Sequence, residues 1–256
     1  MSKKRESKKE SLAEIAVDPE VLARELALEL EIDPLEQIDE DNFSNESFNI
    51  ASECNEALKL LQGDREKRIQ GLRIFCEYRD ERSFPLLLPL LDQPCPVERM
   101  SAVYALGRNP CPTAVEKLVS LLETDDNAYV RRATAWSLAN YDNQIVLMPL
   151  INALKNDVSA VRLWSSSSLA EIGNISPDNA QLAAEQLLIS LKIDNEPGVR
   201  SNCIWSLSRL YEKLNDLFQE QFVDECVKIA LFDKEPSVME EAKTALDSMG
   251  MQGFYN

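Results

Sequence analysis

Residues 126–138 read DNAYVRRATAWSL: an acidic turn, a Val-Arg pair, then a run of small residues closing on Leu. The phrase returns as DVSAVRLWSSSSL at 157–169 and as DNEPGVRSNCIWSL at 194–207. A weaker copy, DKEPSVMEEAKTAL, stands at 233–246, and an earlier one, VERMSAVYAL, at 97–106. Val130, Val161, Val199 and Val238 are separated by 31, 38 and 39 residues. Self-similarity at that period, in an apolar and glycine-poor chain, marks helical hairpins that stack on one another.

Composition agrees. The chain has 256 residues, 45% of them hydrophobic, and only seven glycines, which favours helix over sheet. Its net charge is −17. Nucleic-acid binding needs an excess of Lys and Arg to displace counterions, so the balance argues against it. No apolar run is long enough for a membrane span. The basic start (Lys3, Lys4, Arg5, Lys8, Lys9) is not followed by an apolar segment and does not read as a secretory signal. Six cysteines without CxxC spacing read as reduced thiols, and a cytoplasmic location is expected. There is no histidine, which removes histidine-based triads, histidine general bases and histidine-containing zinc sites together.

Between residues 11 and 56 the only positive charge is Arg24, against fourteen acids. Residues 1–46 are therefore expected to be an acidic, largely disordered arm ahead of a repeat domain over 47–256. Within the arm, Asp18-Pro19 opens a short helix over 19–31, with Leu22, Leu26 and Leu30 on one stripe. It reads either as a weak helix or as a docking helix for a partner or for the protein's own groove. The first repeat helix is expected over 53–61 and the second over 65–78. FPLLLPLL at 84–91 reads as a helix that Pro89 shortens or kinks. Further helices are expected over 97–108, 112–122, 129–140, 145–155, 160–172, 180–191, 199–213, 218–231 and 238–249.

The repeat positions carry the functional reading. Each valine and the leucine eight residues on should be core. Arg99, Arg131, Arg162 and Arg200 each fall beside that valine position, and Arg68 falls there in the first pair. Asp92, Asp126, Asp157, Asp194 and Asp233 precede the helices. These acids should cap helices and accept from the arginine of a neighbouring repeat. The alternative is a basic ladder that binds an anion. The sixth residue after the valine runs Arg73, Tyr104, Trp136, Ser167, Trp205, Thr244, a column too polar for a core. With Ala135 and Ile204 beside it, it reads as a groove with aromatic walls for a partner or ligand. Alternatively the tryptophans fill gaps between repeats. Trp164 is assigned to the core. Cys95 and Cys111, each between prolines, read as turn residues. Cys76, Cys203 and Cys226 read as buried small hydrophobes. Cys54 is the most exposed thiol and a weak metal-ligand candidate. No catalytic residue and no intrinsic metal site emerge.

The Asp-x(3–4)-Val-Arg…Ala/Ser…Leu phrase resembles HEAT-like repeats. Its short central period is similar to that of phycobilisome bilin lyases and related phycobilisome-degradation proteins. DNAYVRRATAWSLANY and DVSAVRLWSSSSLAEIGN carry the likeness, which covers residues 64–250. It implies an all-α, right-handed α-solenoid of about five to six HEAT-like hairpins. It also implies a protein-binding factor that handles phycobiliprotein chromophores in a cyanobacterial cytoplasm. The partner would be a phycobiliprotein subunit or a second HEAT-type lyase subunit, with a bilin as cargo. The whole chain also resembles a HEAT-repeat protein that partners an A-type iron–sulfur carrier, which implies an adaptor with a partner-held iron–sulfur cluster. The reading favours a non-catalytic protein; the catalytic alternative is a bilin lyase subunit.

Overall fold

Asp64, Asn127, Ser176 and Asn215 each stand one residue before a helix and accept a backbone N–H bond from its first turn. Pro177 opens the helix that Ser176 caps, and Pro96, Pro197 and Pro236 open other helices, at the position where a missing N–H costs nothing. The computed structural model describes residues 43–251, and side chains from 50 onward. Contacts between Cα atoms divide the chain into Met1–Phe48 and Asn49–Asn256, and the repeats lie in the second unit. The helix expected over 19–31 lies outside the described residues.

Twelve α-helices and no strand occur among the described residues, and they form six hairpins. These are α1 (Phe43–Leu60) with α2 (Arg65–Glu77), α3 (Phe84–Leu87) with α4 (Pro96–Arg108), and α5 (Val115–Thr124) with α6 (Ala128–Leu138). Then come α7 (Leu147–Asn156) with α8 (Ser159–Gly173), α9 (Pro177–Ile193) with α10 (Pro197–Leu210), and α11 (Asp216–Phe232) with α12 (Pro236–Ser248). The architecture is an α-solenoid. Two boundaries differ from expectation. The first helix begins at Phe43 rather than near residue 53, because no glycine or proline interrupts the polar stretch between them. The ninth begins at Pro177 rather than 180, because Ser176 caps it through the Asn179 N–H. Pro89 acts as expected: α3 is one short turn, and the chain continues from Leu88 to Asp92 as a 3-10 helix.

The second helices α2, α4, α6, α8, α10 and α12 stack consecutively, and they approach one another more closely than the first helices do. The stack therefore bends with the second helices on its inner side. Small residues permit the approach. Ser168 Oγ donates to the Ala135 carbonyl across α8 and α6 at 2.8 Å, and Ser206 Oγ to the Ser166 carbonyl across α10 and α8 at 2.8 Å. Between the layers lie the predicted core columns. Val130, Val161 and Val238 are fully buried, Val199 nearly so, and Leu138, Leu169, Leu207 and Leu246 are fully buried eight residues later. Each leucine contributes about 1.5–3 kcal/mol. In α4 the valine position holds Glu98, buried at 2% exposure, which accepts from Arg68 Nε at 2.8 Å.

Candidate functional site

On an α-helix the residue two after the core valine, and those four and eight further on, share one stripe. On α4 this stripe is Met100, Tyr104, Arg108; on α6 it is Arg132, Trp136, Asn140; on α10 it is Ser201, Trp205, Arg209. The predicted column is its middle row. Arg73, Trp205 and Thr244 are exposed, and Tyr104, Trp136 and Ser167 are half-buried.

The structure joins Tyr104 and Trp136, with ring centroids 5.3 Å apart and planes tilted by 53°. Arg132 Nη2 donates to the Tyr104 hydroxyl at 3.3 Å. The Arg108 guanidinium stands 5.7 Å from the centre of the Trp136 ring. The Trp136 indole lies across α4 at Gly107, where an added Cβ would collide with the ring. Trp136 thus fills an inter-repeat gap and presents its remainder to solvent. Trp205 is the open one, 38% exposed. Arg209 covers it at 5.1 Å and is itself held by Glu171 at 3.2 Å. Between the tryptophans the floor is polar. Asn202 Nδ2 donates to Ser167 Oγ and, at 3.0 Å, to the Leu163 carbonyl.

Four expected placements are corrected. Ala135 and Ile204 are fully buried. Each precedes the stripe by one residue, and a rotation of about 100° turns it from the open face into the packing between helices. Trp164 is half-buried rather than enclosed, packed at the margin of the core. Cys54 is buried, at 2% exposure, and burial foremost raises its thiol pKa.

The repeat arginines form a ladder along one edge of the stack. Arg99 reaches Asp125 with Nε and Nη2 at 2.7 and 2.8 Å, and Arg131 reaches Asp157 at 2.7 and 2.6 Å. Arg162 reaches Asp194 at 2.7 Å twice, and Arg200 reaches Asp233 at 3.2 and 2.8 Å. Each also donates Nη1 to a carbonyl of its own turn, as Arg131 does to Asp125 at 2.8 Å. The guanidinium edges are occupied within the fold. Two predicted partners change: Arg99 takes Asp125 rather than Asp126, and Arg68 takes Glu98 rather than Asp92. Asp92 pairs with Lys117 instead. Burial raises the Asp125, Asp194 and Asp233 carboxyls. Hydrogen bonds from their arginines and from backbone N–H groups outweigh it and leave all three below the ordinary range.

The thiols do not assemble a metal site. Cys54, Cys111, Cys203 and Cys226 are buried, and Cys76 is pushed up to about 12, foremost by burial. No group of three or more Cys, Asp or Glu side chains among the described residues is placed to hold an ion. These residues do not fit an iron–sulfur cluster held by this chain. A depression of about 630 Å³ opens at the ladder edge, where Arg131 and Asp157 in its lining are already mutually bonded. No helix among the described residues is long and apolar enough to cross a membrane. Arg108 and Arg132, which the sequence reading did not single out, were legible as the four-residue neighbours of Tyr104 and Trp136.

The chain matches the description of HEAT repeats over residues 55–139 and 115–208. A comparison with curated proteins finds no match. Among solved structures it is similar to an engineered protein at a TM-score of 0.56 and 21% identity, covering 75% of this chain and 98% of that one. It is also similar to a designed armadillo repeat protein in complex with the peptide (KR)4, at a TM-score of 0.53 and 18% identity, covering 78% and 98%. A third likeness is to a chain of the Kap95p–RanGDP complex, at a TM-score of 0.54 and 17% identity. It covers 92% of this chain and 33% of that one. At these identities the structural likenesses speak for the fold alone.

Proposed function

The chain belongs to the HEAT-repeat family, and from that premise we propose that it works by binding another protein along the stripe of its second helices. The observation that carries this reading is that stripe: Trp205 stands open, Tyr104 and Trp136 are half-exposed, and a polar floor at Ser167 lies between them. Large rings presented on a rigid scaffold lose little conformational entropy on contact and form the centres of binding surfaces. One of the similar designed solenoids is in complex with a peptide, which supports peptide binding by a scaffold of this fold.

The finer reading rests on the resemblance of DNAYVRRATAWSLANY and DVSAVRLWSSSSLAEIGN to the bilin lyase group. On it, the protein assists phycobiliprotein chromophore handling or phycobilisome assembly. The partner is a phycobiliprotein subunit or a second HEAT-type subunit, and any bilin is cargo. The second reading is an adaptor for an A-type iron–sulfur carrier. The burial of Cys54, Cys111, Cys203 and Cys226 favours a version in which the carrier supplies every cluster ligand.

Affinity capture from a cyanobacterial lysate, with the full chain beside its Trp136→Ala and Trp205→Ala variants, tests this. Phycobiliprotein or lyase-like subunits would support the first reading, and an iron–sulfur carrier the second. Undiminished capture by both folded variants would refute the stripe as the binding face.

A further inference from the structure

Most arginines in this fold are spoken for. The five ladder arginines, with Arg65, Arg82 and Arg209, all stand within ion-pair distance of a carboxylate. Arg73, Arg79, Arg108 and Arg132 have no carboxylate partner among the described residues, although the chain holds 44 acids against 27 bases. Arg79 lies just past the end of α2, and the other three lie on the stripe of consecutive second helices: Arg73 on α2, Arg108 on α4, Arg132 on α6. Arg132 Nε is sealed from solvent and bonds nothing among the described residues. Arg108 and Arg132 interlock with Tyr104 and Trp136, as the ring and hydroxyl contacts above record. The acid on this part of the stripe is Glu77, one turn beyond Arg73. On the remaining second helices the stripe's charges are already paired: Arg209 on α10 with Glu171 on α8, and Glu240 on α12 with Lys243.

We propose that the face of α2, α4 and α6 is a docking surface for an acidic peptide segment of a partner. Its carboxylates are received by Arg73, Arg108 and Arg132 around the rings of Tyr104 and Trp136. The proposal rests on the protein-binding reading and names the chemistry of its ligand. Charge complementarity selects the occupant: unpaired guanidiniums on one face favour carboxylates, which they hold in bidentate fashion. A nucleic-acid strand fits less well. The Trp136 ring is covered by Arg108 and Tyr104 and offers no open platform for base stacking.

The test is fluorescence anisotropy of a fluorescein-labelled (Glu-Ser)6 peptide titrated with the full chain at low salt. Saturable binding that weakens as salt screens the pairs is expected. Arg108→Gln with Arg132→Gln should weaken it at least about tenfold, and exposed Arg73→Gln about threefold, on the scale of one solvent-exposed ion pair lost at each position. Lys155→Gln, on the first-helix layer, should change nothing. Circular dichroism checks that the double variant folds, and Arg73→Gln decides if it does not. No saturable binding up to about 1 mM, equal binding of (Lys-Ser)6, tighter binding of a (dT)12 oligonucleotide, or an undiminished affinity in the folded arginine variants would overturn the proposal. Failure here, with partner capture still lost in Trp205→Ala, would leave the protein-binding reading standing and remove only the acidic ligand.

Discussion

Gly107 and Trp136 illustrate how one residue fixes the geometry of another. The indole passes over α4 only because residue 107 has no Cβ. An alanine there would also approach Ser137 Oγ at 3.1 Å. Gly107→Ala should therefore push the ring outward and cost about 1–3 kcal/mol, as overpacking does. A lower melting temperature together with a red-shifted tryptophan emission would record it; unchanged emission would mean the ring is not seated on Gly107. The ladder aspartates give a pH prediction. The carboxyls of Asp125, Asp194 and Asp233 sit below the ordinary range. The unfolded chain therefore binds protons more readily than the folded one. Their contribution is complete above the unfolded value of about 3.9 and disappears as pH falls through the lower folded values. Denaturant midpoints measured from pH 6 down to about 2 should be level at first and then drop below about pH 4.

At the scale of elements, the ladder ties each hairpin to the next. Arg162 on α8 spans to Asp194, the residue that ends α9, while its Nη1 holds the turn before its own helix. Arg162→Gln should cost about 2 kcal/mol, the range for hydrogen bonds to charged groups, moderated because the arginine side chain is 20% exposed. A double-mutant cycle with Asp194→Asn should return most of that as coupling; additive effects would show the pair to be independent. The sequence made this element-to-element pairing legible in kind, from the regular spacing of Arg and Asp. It left two partners misassigned. Asp125 and Asp126 are adjacent and chemically equal in the sequence. Only the turn geometry, in which Asp125 Oδ1 also accepts the Asn127 N–H at 2.9 Å, distinguishes them. Glu98 was hidden because it occupies a position that holds valine in the four repeats that follow.

At the scale of the whole stack, each hairpin buries its faces against its neighbours, so stability is carried by nearest-neighbour contacts. Leu138 is fully buried in α6, near the middle. Leu138→Ala should cost about 2–5 kcal/mol. Amide hydrogen exchange should then accelerate in α4, α6 and α8 more than in α12. Uniform acceleration across all helices would instead mean that the stack opens as one unit.

The sequence by itself determined the helical class, the repeat, the core columns and the stripe that faces outward, because each follows from short-range periodicity along one helix. It also carried the ladder, since its charges recur with the repeat. Only the tertiary structure decided which aspartate meets which arginine and that Ala135, Ile204 and Cys54 are buried. Only it showed that Trp136 rests on Gly107 while Trp205 stays open. It alone showed that Arg73, Arg108 and Arg132 on the stripe meet no carboxylate among the described residues while the ladder arginines do. Those outcomes depend on how far one helix is rotated and displaced against the next, a distance between residues some thirty positions apart that no local pattern encodes.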